Sequence, residues 1–274
     1  MKKLALAFTP CPNDIFMFFR FLQQNIELPF TVETQLMDIQ TLNMEALKAS
    51  FDISKLSVFA YGKVSNDYII INSGAALGYG CGPLLLGRSD KKNPKGSKIA
   101  IPGHLTTAHL LLKIFLDDDF ESVPMVFDEI MPALQSGKVD YGVVIHEGRF
   151  TYNNYGLNLI QDLGVYWEKN FQLPIPLGVI AAKRNLQIPV VKEFEKALQA
   201  SIEYAWNNQE QILPYAKKYA QEMDRQVILN HIKLYVTQDS RQLSDTAKQS
   251  IKVMLEKANQ FKLLNINFDL PLFT

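Results

Sequence analysis

In Gly142–Tyr152, GVVIHEGRFTY, an aliphatic run leads straight into His146, which is followed by Glu147, Gly148 and Arg149. Imidazole titrates near pH 6.5 when unperturbed, so a neutral histidine can accept a proton at cellular pH. A histidine delivered by a buried strand is therefore a candidate general base; a satisfied strand-end histidine is the plainer alternative. Neighbouring side chains of an extended chain point to opposite faces, so Glu147 is expected to pair with Arg149 and not to orient His146. Arg149 as an anchor for a substrate carboxylate is a second possibility. The other histidines offer less. His104 and His109 are five residues apart, which does not place them on one helical face as metal ligands need. His231 lies among Ile228, Ile232 and Tyr235 at helical spacing and reads as a partly buried structural residue. Cys11 and Cys81, the only cysteines, form neither a disulfide framework nor a zinc site. Cys11 reads as a small loop residue. No metal and no cofactor are expected.

The elements that must position His146 follow from periodicity. KKLALAF, TVETQLM, KLSVFAY and DYIIINS read as strands, and DIFMFFRFLQQ and DIQTLNMEALKAS as helices, with Asn13 or Asp14 able to cap the former. A glycine-dense stretch, GAALGYGCGPLLLG, lacks the phosphate-binding glycine patterns and reads as a turn followed by an apolar strand. KIAI, PMVF and VDYGVVI are strands of a second unit. Between them, Thr106 or Thr107 caps the leucine-rich helix HLTTAHLLLKIF, and Gly137 closes a second helix, EIMPALQ, capped by Asp128. Strands alternating with helices mark an open, mostly parallel α/β sheet, where ligands bind beyond the carboxyl ends of the strands. His146 and Thr106–Thr107 both fall at such ends. From Val190 onward the chain is almost all helical. The polar RSDKKNPKGS and the stiff LPIP read as crossings between two lobes. The first lobe would then comprise residues 1–90 and 175–274, and the inserted second lobe residues 91–174. Asn43, near a helix start in the first lobe, is a candidate cleft donor. Phe16, Phe18, Phe19 and Phe21 read as core.

Lysine plus arginine and aspartate plus glutamate both number 28, and this balance argues against a nucleic-acid partner or an anionic membrane surface. The opening MKKLALAF imitates a signal peptide, but its apolar run ends at Phe8 with no cleavage site after it. No segment has the apolar length to cross a bilayer. A soluble, cytoplasmic protein is expected.

Several motifs in order, TPCPND, SKLSVFAYG, GYGCGPLLL, PGHLTTAHLLL, IHEGRFTYNNYGL and DLGVYWEKNFQLPIPLG, resemble the 1,4-dihydroxy-6-naphthoate synthases of the futalosine route to menaquinone. The likeness covers nearly the whole chain. It implies a two-lobed type II periplasmic-binding-protein-like fold, each lobe a mixed, mostly parallel sheet flanked by helices, with the ligand cleft between them. It also implies a lyase acting on cyclic dehypoxanthinyl futalosinate, a small-molecule carboxylate. By this resemblance His146 matches the proton acceptor, Lys55, Leu56 and Ser57 one substrate-binding segment, and Thr107 and Ala108 another. The chemistry agrees: Ser57 and the first amides of the Thr106–Ala108 helix start could hold a carboxylate or a developing oxyanion. Two other readings share the architecture, a solute-binding protein and the related chorismate dehydratase. The IHEGRFTY segment and the TTA turn favour the naphthoate synthase.

Overall fold

Apolar alternation in KLALAF makes β1 (Lys3–Phe8) an interior strand of the first sheet, with Leu4, Leu6 and Phe8 fully buried. The computed structural model describes residues 3–88, 93–146, 148–219 and 224–274. β1 pairs in parallel with β2 (Thr31–Leu36) on one side and with β3 (Ile53–Ser57) on the other. Beyond these come β4 (Tyr68–Ile70), β5 (Ala76–Gly78), β6 (Leu84–Gly87), β7 (Lys98–Ile101), β8 (Glu121–Pro124), β9 (Tyr141–Val144), β10 (Asn158–Asp162) and β11 (Ile175–Lys183). The first sheet runs β2-β1-β3-β11-β4, with β5 also on β11; the second runs β10-β6-β9-β7-β8. Parallel pairs join β7 to β8 and β9. By contrast, β11 is antiparallel to β3, β4 and β5, and β6 is antiparallel to β9 and β10. Both sheets are thus mixed, because the strands that enter after each crossing run back against their neighbours.

The first crossing is earlier than the sequence suggested. PLLLG falls within the expected first-lobe segment ending at residue 90, yet Leu84–Gly87 pairs on both edges within the second sheet. Its leucines are apolar on both faces, and Leu84, Leu85 and Leu86 are all buried, as an interior strand requires. The chain therefore passes between sheets after Gly78, through a turn where Gly82 lies against Gly164. A Cβ on Gly82 would stand 2.2 Å from the Gly164 Cα, so only glycine permits this approach. The return comes just before Ile175.

Local deviations have equally local causes. The expected strand KLSVFAY stops at Ser57, and Val58–Lys63 is a helix with Ser57 at its N-cap position. PMVF is not a strand; β8 lies three residues earlier, at Glu121–Pro124, and shares only Pro124 with it. Asp128 lies in a short 3-10 turn and makes no cap to Ile130–Gln135, while Gly137 takes the left-handed conformation after that helix. The first long helix is broken into Pro12–Met17 and Phe19–Leu22. At the break the Phe18 ring stacks on Phe8 with centroids 4.3 Å apart, a contact worth about 0.5–1.5 kcal/mol beyond its burial. Phe16, Phe18, Phe19 and Phe21 are all buried, as expected. Helices from Ile188 onward cover this core, and helix Arg225–Tyr235 packs against Pro12–Met17. No helix among the described residues is long and apolar enough to cross a membrane.

Candidate active site

The chain just beyond β1 and β9, the last residue of β3, and the turn after β7 converge on one cleft between the sheets. It is an open cleft of about 660 Å³, counting the solvent space at its mouth, and is lined by Thr9, Ser57, Thr106, Thr107, Ala108 and His146 among others. Of the expected site residues, Lys55, Ser57, Thr107, Ala108 and His146 line it together. Leu56 does not: pleating turns its side chain into the apolar core, where it is fully buried. Asn43 is also fully buried and stands behind Ser57. Its Nδ2 donates to Ser57 Oγ at 3.0 Å and to the Leu105 carbonyl at 3.3 Å, and its Oδ1 accepts from the Ser57 amide at 3.0 Å. Asn43 therefore positions a donor instead of being one. Because Ser57 Oγ accepts from Asn43, its own proton is left for a ligand.

Helix Thr107–Leu116 is capped by Thr106, whose hydroxyl accepts from the His109 amide at 3.3 Å and donates to the Gly103 carbonyl at 2.8 Å. The Thr107 and Ala108 amides, first in the helix, have no acceptor within it and lie at its positive end. The Thr107 hydroxyl donates to the Leu177 carbonyl at 2.7 Å, tying the second sheet's helix to β11 of the first. An anionic group fits this corner.

His146 follows β9 in the left-handed conformation, with φ +56°. For a residue with a Cβ this costs about 1–3 kcal/mol and persists only where the surroundings enforce it. Its ring makes its contacts across the cleft and beside it. Nδ1 and Nε2 lie 3.4 and 3.6 Å from Cys11 Sγ. Phe127 meets the ring edge-on at 5.0 Å, and the His231 ring stacks at 6.2 Å. Burial pushes the His146 pKa down to about 4, against the pull of Asp14 and with the added push of Lys55. The imidazole is thus a free base at neutral pH.

Beneath it runs a polar chain that sequence reasoning missed. Lys55 and Asp14, both buried, pair at 2.9 Å. Asp14 accepts further bonds from the Thr9 hydroxyl at 2.7 Å, the Thr9 amide at 3.3 Å and Asn13 Nδ2 at 2.9 Å. Neither Asn13 nor Asp14 caps the first helix; Cys11 holds that position, with Pro12 next. All of Pro12–Met17 is buried, so two polar residues there must find internal partners. That composition, an Asn-Asp pair heading an otherwise apolar helix, was the available signal. Asn13 Oδ1 in turn meets His231 Nε2 at 3.0 Å, and the fully buried His231 lines the cleft.

The remaining charged and imidazole groups are structural. Arg149 does not line the cleft: its guanidinium donates to Asp162 at 2.5 Å and to the Gly82 carbonyl at 2.6 Å. Asp162 also caps helix Leu163–Phe171, so Arg149 braces the first crossing and is no substrate anchor. Its expected partner Glu147 lies outside the described residues. His109 Nδ1 donates to the His104 carbonyl and Nε2 accepts from Ser122, each at 3.0 Å. Burial lowers the His109 pKa to about 4. The fold thus favours its neutral form, a contribution complete above pH 6.5 and lost as pH falls toward 4. Its size is about 3 kcal/mol. Thermal melts at pH 7 and pH 4.5 should show wild type losing more stability than His109→Asn; parallel losses would remove His109 from the account.

A menaquinone biosynthesis family model matches residues 4–260. The chain is similar to the 1,4-dihydroxy-6-naphthoate synthase of Thermus thermophilus, 37% identical over 94% of each chain. It is also similar to that of Streptomyces coelicolor, 39% identical over 93% of this chain and 92% of the other. A solved structure from Archaeoglobus fulgidus superposes with a TM-score of 0.92 at 35% identity, covering 96% of this chain and 98% of that one. A Candida albicans protein described as having the generic periplasmic-binding-protein fold superposes with a TM-score of 0.70, covering 98% and 93%. Its identity of 14% makes it a likeness of fold alone, and the fold of this chain is of that two-sheet type.

Proposed function

This chain belongs to the menaquinone biosynthesis family, and from that membership we propose that it is a carbon–carbon lyase converting cyclic dehypoxanthinyl futalosinate to 1,4-dihydroxy-6-naphthoate. The observation that carries the reading is His146: a strained, strand-end imidazole held as the free base beside an anion-binding corner. The substrate carboxylate would lie against the Thr107 and Ala108 amides and the Ser57 hydroxyl. His146 would remove a proton from carbon, and the C–H pair would move into the carbocycle as the bond to the sugar-derived fragment breaks. The pair of that bond would leave with the fragment as an enolate oxyanion, which takes the proton back from the His146 imidazolium. Negative charge developing on oxygen would be met by Ser57 and by the Lys55 ammonium, whose charge Asp14 holds in place. Preorganised donors of this kind need no reorganisation as charge develops and are worth more than the same groups in solution.

The test is direct. Purified protein given cyclic dehypoxanthinyl futalosinate should release a species with naphthoate absorbance; tight binding without product would favour a solute-binding role instead. The acid limb of kcat/KM should fall near pH 4, because that parameter reports the free enzyme's base. A limb near 6.5 would mean that the His146 ring is not desolvated as the structure has it.

A further inference from the structure

The buried polar chain fixes the protonation of His231 by elimination. The Asp14 carboxylate, paired with Lys55, can only accept, so the Asn13 amide must turn its Nδ2 toward it, at 2.9 Å. That leaves Asn13 Oδ1 facing His231 Nε2 at 3.0 Å, and Oδ1 can only accept. Nε2 must therefore carry a proton. In a neutral ring Nδ1 is then a bare acceptor, and it is buried without a partner. The group is fully buried, yet its ring lines the cleft and stacks on the proposed base. A buried acceptor left unpaired is unfavourable, and a ligand donor would relieve that cost. Asp14 is occupied by four donors, so it offers a ligand hydroxyl little.

From this arrangement we infer that His231 Nδ1 is a specificity-determining acceptor for a hydroxyl of the bound ligand, held in register by Asn13, Asp14 and Lys55. The inference rests on the cleft binding a hydroxylated ring carboxylate, as proposed above. It assigns His231 a recognition task distinct from the proton transfer of His146.

Two probes separate the terms: 1,4-dihydroxy-6-naphthoate, and 2-naphthoate, which keeps the carboxylate and lacks both hydroxyls. Calorimetric titration of wild type should show the dihydroxy compound bound about tenfold more tightly. His231→Gln places its amide where Nε2 was, keeps a donor for Asn13 and removes the acceptor. It should lose that preference while binding 2-naphthoate as wild type does. His231→Asn places an amide oxygen near the Nδ1 position and should retain part of the preference, a rescue that a merely structural role would not show. Equal affinities of wild type for the two probes, or an undiminished preference in His231→Gln, would overturn this inference alone. Equal weakening of both probes by His231→Gln and His231→Asn would overturn it in favour of a packing role. Binding of neither probe by wild type would overturn the carboxylate reading of the cleft and this inference with it.

Discussion

His146→Asn is expected to lower turnover by about 10²–10⁴-fold while leaving ligand affinity and melting temperature close to wild type. Asparagine is the right replacement because of the backbone. His146 sits at φ +56°, and asparagine adopts the left-handed region more readily than most residues with a Cβ. Alanine would add backbone strain to the loss of the ring and blur the two effects. The asparagine amide also keeps a polar group near Cys11 Sγ, 3.4 Å from Nδ1 in the wild type. It has no basic nitrogen, so the carbon proton would have no acceptor while the Thr107, Ala108 and Ser57 donors remain. The expected kinetic signature is a fall in kcat with little change in the substrate's dissociation constant. Stopped-flow binding alongside steady-state rates would measure both, and a variant within tenfold of wild-type turnover would end the assignment of His146 as base.

Much of this site was legible in the sequence, and the reasons are physical. An apolar run that stops on a histidine implies a strand whose end reaches a rim, and β9 delivers His146 in that way. The TTA turn before a leucine-rich helix implies a cap with free amides, and Thr106 is that cap. What failed was anything requiring knowledge of partners distant in sequence. Lys55 and Asp14 are 41 positions apart, and His231 and Asn13 are 218 apart. Sequence offers local partners first, which makes Asn13 or Asp14 look like a helix cap and hides the distant partners of both. His231 does lie on the Ile228, Ile232 and Tyr235 face, but while Ile228 and Ile232 are buried in the core, His231 and Tyr235 also border the cleft. Leu84–Gly87 pairs in the second sheet and not the first, which its sequence does not reveal because an apolar strand carries no mark of which neighbours it will pair with.

The buried pair beneath the cleft gives the largest expected effect on stability, and the effect should be lopsided. Asp14→Ala leaves the Lys55 ammonium, whose side chain is 6% exposed, without its carboxylate, and also strands the donors of Thr9 and Asn13. Breaking a buried pair from one side costs about 3–5 kcal/mol. For a chain of this length that is a fall in melting temperature of roughly 10 °C. Lys55→Met should cost less, because Asp14 retains the Thr9 hydroxyl, the Thr9 amide and Asn13 Nδ2. The double variant should be more stable than Asp14→Ala alone, since no charge is then left unpaired, and that excess over additivity is the coupling energy of the pair. Activity should follow a different order: the double variant recovers stability but not turnover, having lost the cation that faces the developing oxyanion. Urea melts and rates on the three variants would decide. If Asp14→Ala and Lys55→Met were equally destabilised, the carboxylate would not be the hub of this network. If the double variant regained turnover, the Lys55 charge would have no part in the chemistry.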